Sequence, residues 1–407
     1  MSLIKPFAGL RPKPERAAEV IAPPYDVLNT EEARARAAQR PHSFLHISKP
    51  EIDLPPGTDP YAPQVYQTGA KILQQMLEAG ILVRDSRPHY YLYRLIMGEH
   101  HQTGLVAAAS VAEYDRNRIR KHEFTRPDKE DDRVRQIDAL NAQTGPVFLT
   151  YRQQPQVDDI VAQVMKQAPV YDLSADDGVQ HTFWVVEDAG QIDALTALFD
   201  AMDCIYIADG HHRSASASRV AKMRANGSGA ADYFLSVIFP DNQMKILDYN
   251  RVVKDLKQLD VEAFLHQVRE AFEVEPVAAA FKPAQAAQFG MYLEGQWYRL
   301  ALKPGRIPQD DAVARLDVSL LHDNLIEPIL GISDPRRDKR VDFVGGIRGL
   351  AELEKRVDSG DMRVAFSLFP TSMADLMSVA DANKVMPPKS TWFEPKLADG
   401  LVSLVLD

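Results

Sequence analysis

The stretch Cys204-Ile-Tyr-Ile-Ala-Asp-Gly-His-His-Arg-Ser-Ala-Ser-Ala-Ser-Arg-Val-Ala-Lys222 decides how the rest of the chain is read. Ile205, Tyr206 and Ile207 form a short apolar run of the kind that makes a buried strand. Asp209-Gly210 is a tight-turn pair, with Asp209 in the role of helix N-cap and Gly210 free to adopt a backbone closed to side chains. A helix is expected from about His211. Its Ala and Ser content permits close packing against a neighbour. Two imidazoles and a guanidinium then fall in the first turn. There the unpaired N–H groups and the positive end of the helix dipole already favour an anion. Cationic groups at that end oppose the dipole, and a bound phosphate would compensate. The turn therefore reads as a phosphate grip built from Gly210, His211, His212 and Arg213, with the Asp209 carboxylate at its lip. The competing reading is a capped helix carrying exposed polar residues.

Working outward, the 407 residues are 45% apolar and 26% charged, the balance of a folded chain with room for two domains. Lys plus Arg total 47 against 57 Asp plus Glu, a net charge of −10. That balance argues against nucleic acid or an anionic membrane as partner, while leaving room for a local basic pocket. Cys204 is the only cysteine, so no intrachain disulfide or multi-thiolate metal site is available. No run reaches membrane-spanning length and the N-terminus lacks an apolar signal core, so the expectation is a cytoplasmic protein.

A second dense motif is Arg120-Lys-His-Glu-Phe-Thr-Arg-Pro-Asp-Lys-Glu-Asp-Asp-Arg133. Thr125 and Pro127 mark a helix start, and Val134, Ile137 and Leu140 give that helix an apolar stripe. The N-terminal Ile21-Ala-Pro-Pro-Tyr-Asp-Val27 is held extended by its prolines and turns at Tyr25 and Asp26. Strands are expected at 43–47, 89–97, 103–111, 181–186, 233–239, 362–369 and 401–406, with a strand pair at 291–294 and 296–302. Helices are expected at 30–39, 62–79, 156–167, 191–200, in the Ala-rich stretch near 280, at 313–330 and at 371–382. Strands and helices mix without a β-α-β beat, which gives an α+β class. The expected divisions are an N-terminal α+β segment over 1–100 and a core over 101–258. A peripheral insertion over 259–312 and a C-terminal segment over 313–407 that returns to the core complete the chain.

Taken together, Ile-Ala-Asp-Gly-His-His-Arg, Lys-His-Glu-Phe-Thr-Arg-Pro-Asp-Lys-Glu-Asp-Asp-Arg, Ile-Ala-Pro-Pro-Tyr-Asp-Val and Met386-Pro-Pro-Lys-Ser-Thr-Trp-Phe-Glu-Pro-Lys396 resemble the bacterial and archaeal family known as domain of unknown function 1015. The resemblance runs nearly end to end. Ser214 stands where many members carry an aromatic residue. The turn alone also resembles the phosphate-binding turn of the ParB and sulfiredoxin superfamily, which includes free-serine kinases with an Asp-Gly-His-His-Arg turn and a separate Glu as base. What this implies is a ParB/sulfiredoxin-like central core with a mixed sheet. Asp209, His211, His212 and Arg213 match the turn, and Glu123 resembles the base.

Phosphoryl transfer needs cationic or N–H groups on the phosphates, a carboxylate that orients the acceptor hydroxyl, and charge neutralisation by metal. Glu123, Asp209 and His212 are the catalytic candidates. Arg126 and Lys129 join the turn as phosphate ligands, and Asp209 is the candidate Mg2+ ligand. For Glu123 the competing reading is an ion pair with Lys121; for Lys129–Arg133 it is a solvated helix start. Tyr25, Asp26, Asn250 and Arg251 are substrate-pocket candidates, set against a rigid turn and a strand-end ion pair. Lys389, Ser390, Thr391 and Lys396 lie in a polar, Pro-braced loop and are candidates to close over nucleotide phosphates. His122 with the two turn histidines raises a metal-hydrolase reading, but the i, i+4 pair of a helical zinc site is missing. No P-loop and no protein-kinase signature is present. The reading is a kinase of a small hydroxylated metabolite, first candidate free L-serine, using ATP or ADP with Mg2+, and compatible with a homodimer. The alternative is a non-catalytic nucleotide-binding switch of ParB-like type.

Overall fold

In the computed structural model, which describes residues 2–224 and 229–407, the fold is α+β and rests on two large sheets. The chain divides into two compact units, Met1–Met244 with Pro395–Asp407, and Lys245–Glu394.

The first unit is organised on a nine-stranded mixed sheet. Its strands in chain order are β1 (Ile4–Lys5), β2 (Tyr90–Met97), β3 (His100–Ser110), β4 (Ile119–Arg120), β5 (Val147–Tyr151), β6 (Tyr171–Ser174), β7 (Gln180–Val186), β8 (Ile205–Asp209) and β9 (Tyr233–Pro240). The spatial order is β4-β8-β5-β9-β3-β2-β7-β6, with β1 pairing β3. β8 runs parallel to β4 and β9 parallel to β5, while the remaining pairs are antiparallel. All eight residues of β9, Tyr-Phe-Leu-Ser-Val-Ile-Phe-Pro, are buried, as expected for a strand covered on both faces. β3 runs beside it with Ala107, Ala108 and Ala109, all fully buried. Gly104 of β3 lies so close to β9 that a Cβ there would meet Val237 at 2.8 Å and Phe239 at 2.9 Å.

Two helices define the site end of this unit, α1 (Pro127–Leu140) and α2 (His211–Met223). Ala217 and Ala221 of α2 join the sheet core with Ile205, Ile207, Val147 and Leu149. Its serines bind neighbouring polymer: Ser216 Oγ donates to the Glu130 carbonyl at 3.1 Å and Ser218 Oγ to Asp115 at 2.7 Å. The small side chains are what permit that approach. Arg219 of α2 pairs with Glu130 at 3.3 Å and Asp131 at 2.7 Å on α1. The acidic start of α1 is thus engaged by its neighbour helix.

The second unit carries a six-stranded antiparallel sheet. Its strands are β10 (Tyr249–Val253), β11 (Phe272–Val277), β12 (Gln288–Leu293), β13 (Gln296–Leu302), β14 (Val341–Gly345) and β15 (Val364–Leu368), in spatial order β11-β13-β12-β15-β10-β14. Its own core includes Val252, Tyr292, Trp297, Val344, Leu353 and Ala365.

Several expectations need correction. Residues 43–47 are not a strand; Leu45–Ser48 is a single helical turn whose Leu45 and Ile47 fill a local core. The Ala-rich stretch after Val277 is not helical, since Lys282-Pro283 interrupts it and Phe281 packs beneath the second sheet. Residues expected as a peripheral insertion supply three of the six strands of that sheet. A boundary at residue 100 would cut the β2–β3 hairpin, and one at 312 would cut the second unit. The C-terminal apolar run forms only the two-residue strand Leu404–Val405. Among the described residues no helix is long and apolar enough to cross a membrane.

Candidate active site at the strand–helix turn

β8 ends at Asp209, and Gly210 turns the chain at φ 94° and ψ 29° before α2 begins. That backbone is open to glycine and strained for other residues. A Cβ at Gly210 would sit 3.4 Å from Val147 Cα and 3.5 Å from the Arg213 guanidinium carbon. The N-cap is therefore Gly210, not Asp209 as the sequence suggests. Asp209 closes the turn from inside, its Oδ1 accepting the Gly210 N–H at 2.7 Å.

The parallel pairing of β4 with β8 brings their carboxyl ends to one edge of the sheet. The chain leaving β4 therefore runs across the first turn of α2. The His122 N–H points at His211 Nε2 over 3.4 Å, and the Arg126 N–H donates to His212 Nε2 at 3.0 Å. The His122 and His211 rings meet edge to face with centroids 4.4 Å apart. Glu123 Oε2 lies 3.7 Å from His211 Nδ1. The motif of 120–126 and the turn of 209–213 thus form one site. The Lys121 ammonium sits 3.8 Å from the Tyr114 ring centroid.

Burial sets the charges. It lowers His122 to about 4 and His211 well below the usual histidine range, and it lowers His212 as well. All three imidazoles are neutral near pH 7. The expected concentration of cations in the first turn therefore reduces to Arg213 and the incoming Lys396. Burial pushes the Asp209 carboxyl up, but Lys396 and then Arg213 more than reverse it, so Asp209 is a firm anion. Lys396 Nζ donates to Asp209 Oδ2 at 3.0 Å. Asp209 thus has one oxygen on the Gly210 N–H and the other on an ammonium. With both oxygens so engaged, Asp209 does not fit a resident Mg2+.

Arg213 is a hub rather than an open claw. It donates to the Pro146 carbonyl, pairs with Asp26 at 3.1 Å, and lies 5.9 Å from the Tyr25 ring centroid. Arg133 covers the same ring at 4.0 Å and pairs with Asp132 at 2.7 Å. Tyr25 and Asp26 are brought there by the extended Ala22-Pro23-Pro24 run, whose Ala22 exchanges both backbone hydrogen bonds with Asp399. Asp399 is buried, neither carboxylate oxygen meets a hydrogen bond of good geometry, and burial raises it to about 7. Asp399 and Arg133 were invisible to sequence reasoning. A lone acid in Leu-Ala-Asp-Gly has no spacing signal, and Arg133 reads as one charge among many. Lys396 was readable as a basic residue in a braced loop, but its target was not.

The remaining candidates have other partners. Arg126 pairs with Asp128 at 2.8 Å, and Lys129 donates to Tyr61 Oη at 2.8 Å. Asn250 and Arg251 belong to the second unit and fasten it internally. Asn250 Nδ2 donates to Asp248 at 2.6 Å, and its Oδ1 accepts the Leu368 N–H at 3.0 Å. Arg251 donates to the Tyr249 carbonyl at 2.5 Å and the Lys389 carbonyl at 3.0 Å, and burial lowers it to about 10. Ser390 Oγ donates to the Pro387 carbonyl at 2.7 Å, bracing the same loop.

This chain belongs to the family described as a protein of unknown function, DUF1015, whose profile matches residues 4–319. No curated protein matches it. Among solved structures it is similar to a mutant free serine kinase in complex with AMP, at 12% identity and a TM-score of 0.36, over 71% of this chain and 86% of that one. It is similar to a conserved hypothetical protein from Pyrococcus furiosus at 14% identity and a TM-score of 0.36, over 73% and 94%. It is also similar to a C-terminally truncated SbnI from Staphylococcus aureus at 11% identity and a TM-score of 0.39, over 74% and 87%.

Proposed function

We propose that the protein is a small-molecule kinase that moves phosphate from ATP or ADP to a hydroxylated metabolite, with free L-serine as the first acceptor to try. The observation that carries this reading is the meeting of Glu123 with the first turn of α2, 3.7 Å from His211 Nδ1. A general base must stand beside the groups that hold the transferring phosphate. The backbone N–H groups at the start of α2 favour the phosphate, and Lys396 supplies a positive charge at the same edge. Neutral His211 presents a ring nitrogen to Glu123 and fixes its direction. Glu123 is exposed and reaches an incoming hydroxyl from the solvent side. It takes the hydroxyl proton as the oxygen attacks the terminal phosphorus and the bond from that phosphorus to the bridging oxygen breaks, releasing ADP from ATP or AMP from ADP.

The test is calorimetry with ATP and with ADP, followed by phosphorus NMR of reactions containing serine and related alcohols. Nucleotide binding and a phosphorylated product are expected, and Glu123→Gln should keep binding within a few fold while losing about 10² to 10⁴ in rate. No nucleotide binding and no product from any acceptor would end the proposal.

One observation favours a second reading, a nucleotide-operated switch. Arg213 and Asp209 are closed by internal pairs with Asp26 and Lys396. A phosphate competing for those cations would release two distant parts of the chain. Under that reading Glu123→Gln binds nucleotide normally and no acceptor is ever turned over.

A further inference from the structure

His122 and His211 are 89 positions apart in sequence, yet their rings touch. Each residue is buried, His122 2% and His211 4% exposed. Glu123 approaches the same point from the solvent side. One ligand atom from each of the three lies within 4.8 Å of the other two. His122 is the informative member. The Ile207 carbonyl accepts its ring N–H, while Nδ1 is buried and meets no hydrogen-bond partner. A neutral imidazole that donates from Nε2 carries a lone pair on Nδ1. Such a ring is already in the tautomer a metal ligand needs, and its outer hydrogen bond fixes its direction. Asp209 adds a second negative charge beside the two rings, although Lys396 holds it.

From this arrangement we infer that His122, Glu123 and His211 form a site for one divalent transition-metal ion. Two imidazoles and one carboxylate suit Zn2+, Mn2+, Fe2+ or Co2+, and the exposed side of Glu123 leaves positions open for water or a substrate oxygen. The inference goes beyond the kinase reading. In the ion's presence Glu123 is a ligand, and the ion instead lowers the pKa of a bound hydroxyl or water. The site needs no i, i+4 pair, because the second histidine comes from another element. A competing arrangement uses the same contacts. If His211 Nε2 keeps the His122 N–H over 3.4 Å, Nδ1 carries the proton and donates towards Glu123, and the trio is a hydrogen-bonded cluster.

The experiment uses the full chain, stripped with chelator and titrated with Co2+ alone, without nucleotide. The expected result is about one equivalent bound, with a visible d–d absorption band, displaced by Zn2+. Glu123→Gln changes an exposed side chain and leaves the core intact; it should weaken binding at least about tenfold, and His122→Ala should abolish the band. His101→Ala, on an exposed histidine, should change nothing. Should His122→Ala fail to fold, Glu123→Gln and histidine nitrogen-15 chemical shifts still decide. No stoichiometric Co2+, or a His211 Nδ1 that stays protonated with Co2+ present, overturns the inference. So does binding that survives Glu123→Gln but is lost in His322→Ala, since His322, Asp323 and Glu327 form the other possible cluster among the described residues. Nucleotide affinity is measured separately, so failure here leaves the kinase reading standing, and the reverse holds.

Discussion

Gly210 and Asp399 show how much of the site depends on single backbone and charge decisions. Gly210 holds φ 94°, with Val147 and Arg213 at the limit of contact. Gly210→Ala should destabilise the protein by about 1 to 3 kcal/mol, read as a lower urea midpoint. An unchanged midpoint would show that the turn relaxes freely. For Asp399 the pH direction follows from burial. The folded carboxyl titrates near 7 against 3.8 when unfolded, so the folded state holds a proton that the unfolded state has released. The group's contribution is fully present below pH 4 and is lost as pH rises to 7, by at most about 4 kcal/mol. Asp399→Asn should flatten that part of the stability profile and raise the midpoint at pH 8 relative to wild type. A profile that keeps its slope in the variant would assign the titration elsewhere.

At the scale of elements, the sheet edge and the helices act through their ends. The helix Ala189–Asp200 starts on Asp188, whose side chain accepts the Gln191 N–H at 2.8 Å. Asp188→Ala should cost about 1 kcal/mol, seen as a Tm drop of a few degrees, with no change in nucleotide binding. β10 depends on Asn250, which is fully buried and bridges Asp248 to the β15 backbone at Leu368. Asn250→Ala leaves the Leu368 N–H unpaired and should destabilise by about 1 to 3 kcal/mol. A thermal melt matching wild type would mean that water replaces the amide. Strand and helix positions such as 62–79 and 233–239 were readable because period and burial agree there. Residues 43–47 misled, because a five-residue run in which Phe44, Leu45 and Ile47 are apolar fits one helical turn as well as a strand, and only packing decides.

For the whole molecule, the division into units is the main departure from sequence expectation. Lys245–Glu394 is continuous in sequence, has its own six-stranded sheet and its own core. Residues 245–394 expressed alone should therefore unfold in one cooperative transition with a β-rich circular dichroism spectrum. A chain without near-ultraviolet signal would show that this unit needs the rest. No composition shift marks residues 244 and 395, since strands of both units draw on the same apolar residues. The boundary follows from which edges pair, and edge pairing is not written in local composition.

The sequence by itself determined the α+β class, a buried strand at Ile205, Tyr206 and Ile207, the glycine turn, and the helix behind it. Each follows from local rules of period, turn chemistry and side-chain size. The tertiary structure alone decided that His122 and Glu123 meet His211, that Lys396 and Asp26 hold Asp209 and Arg213, and that the imidazoles are neutral. Those outcomes depend on strand pairing and desolvation across long stretches of chain. Neither is a property of any one segment.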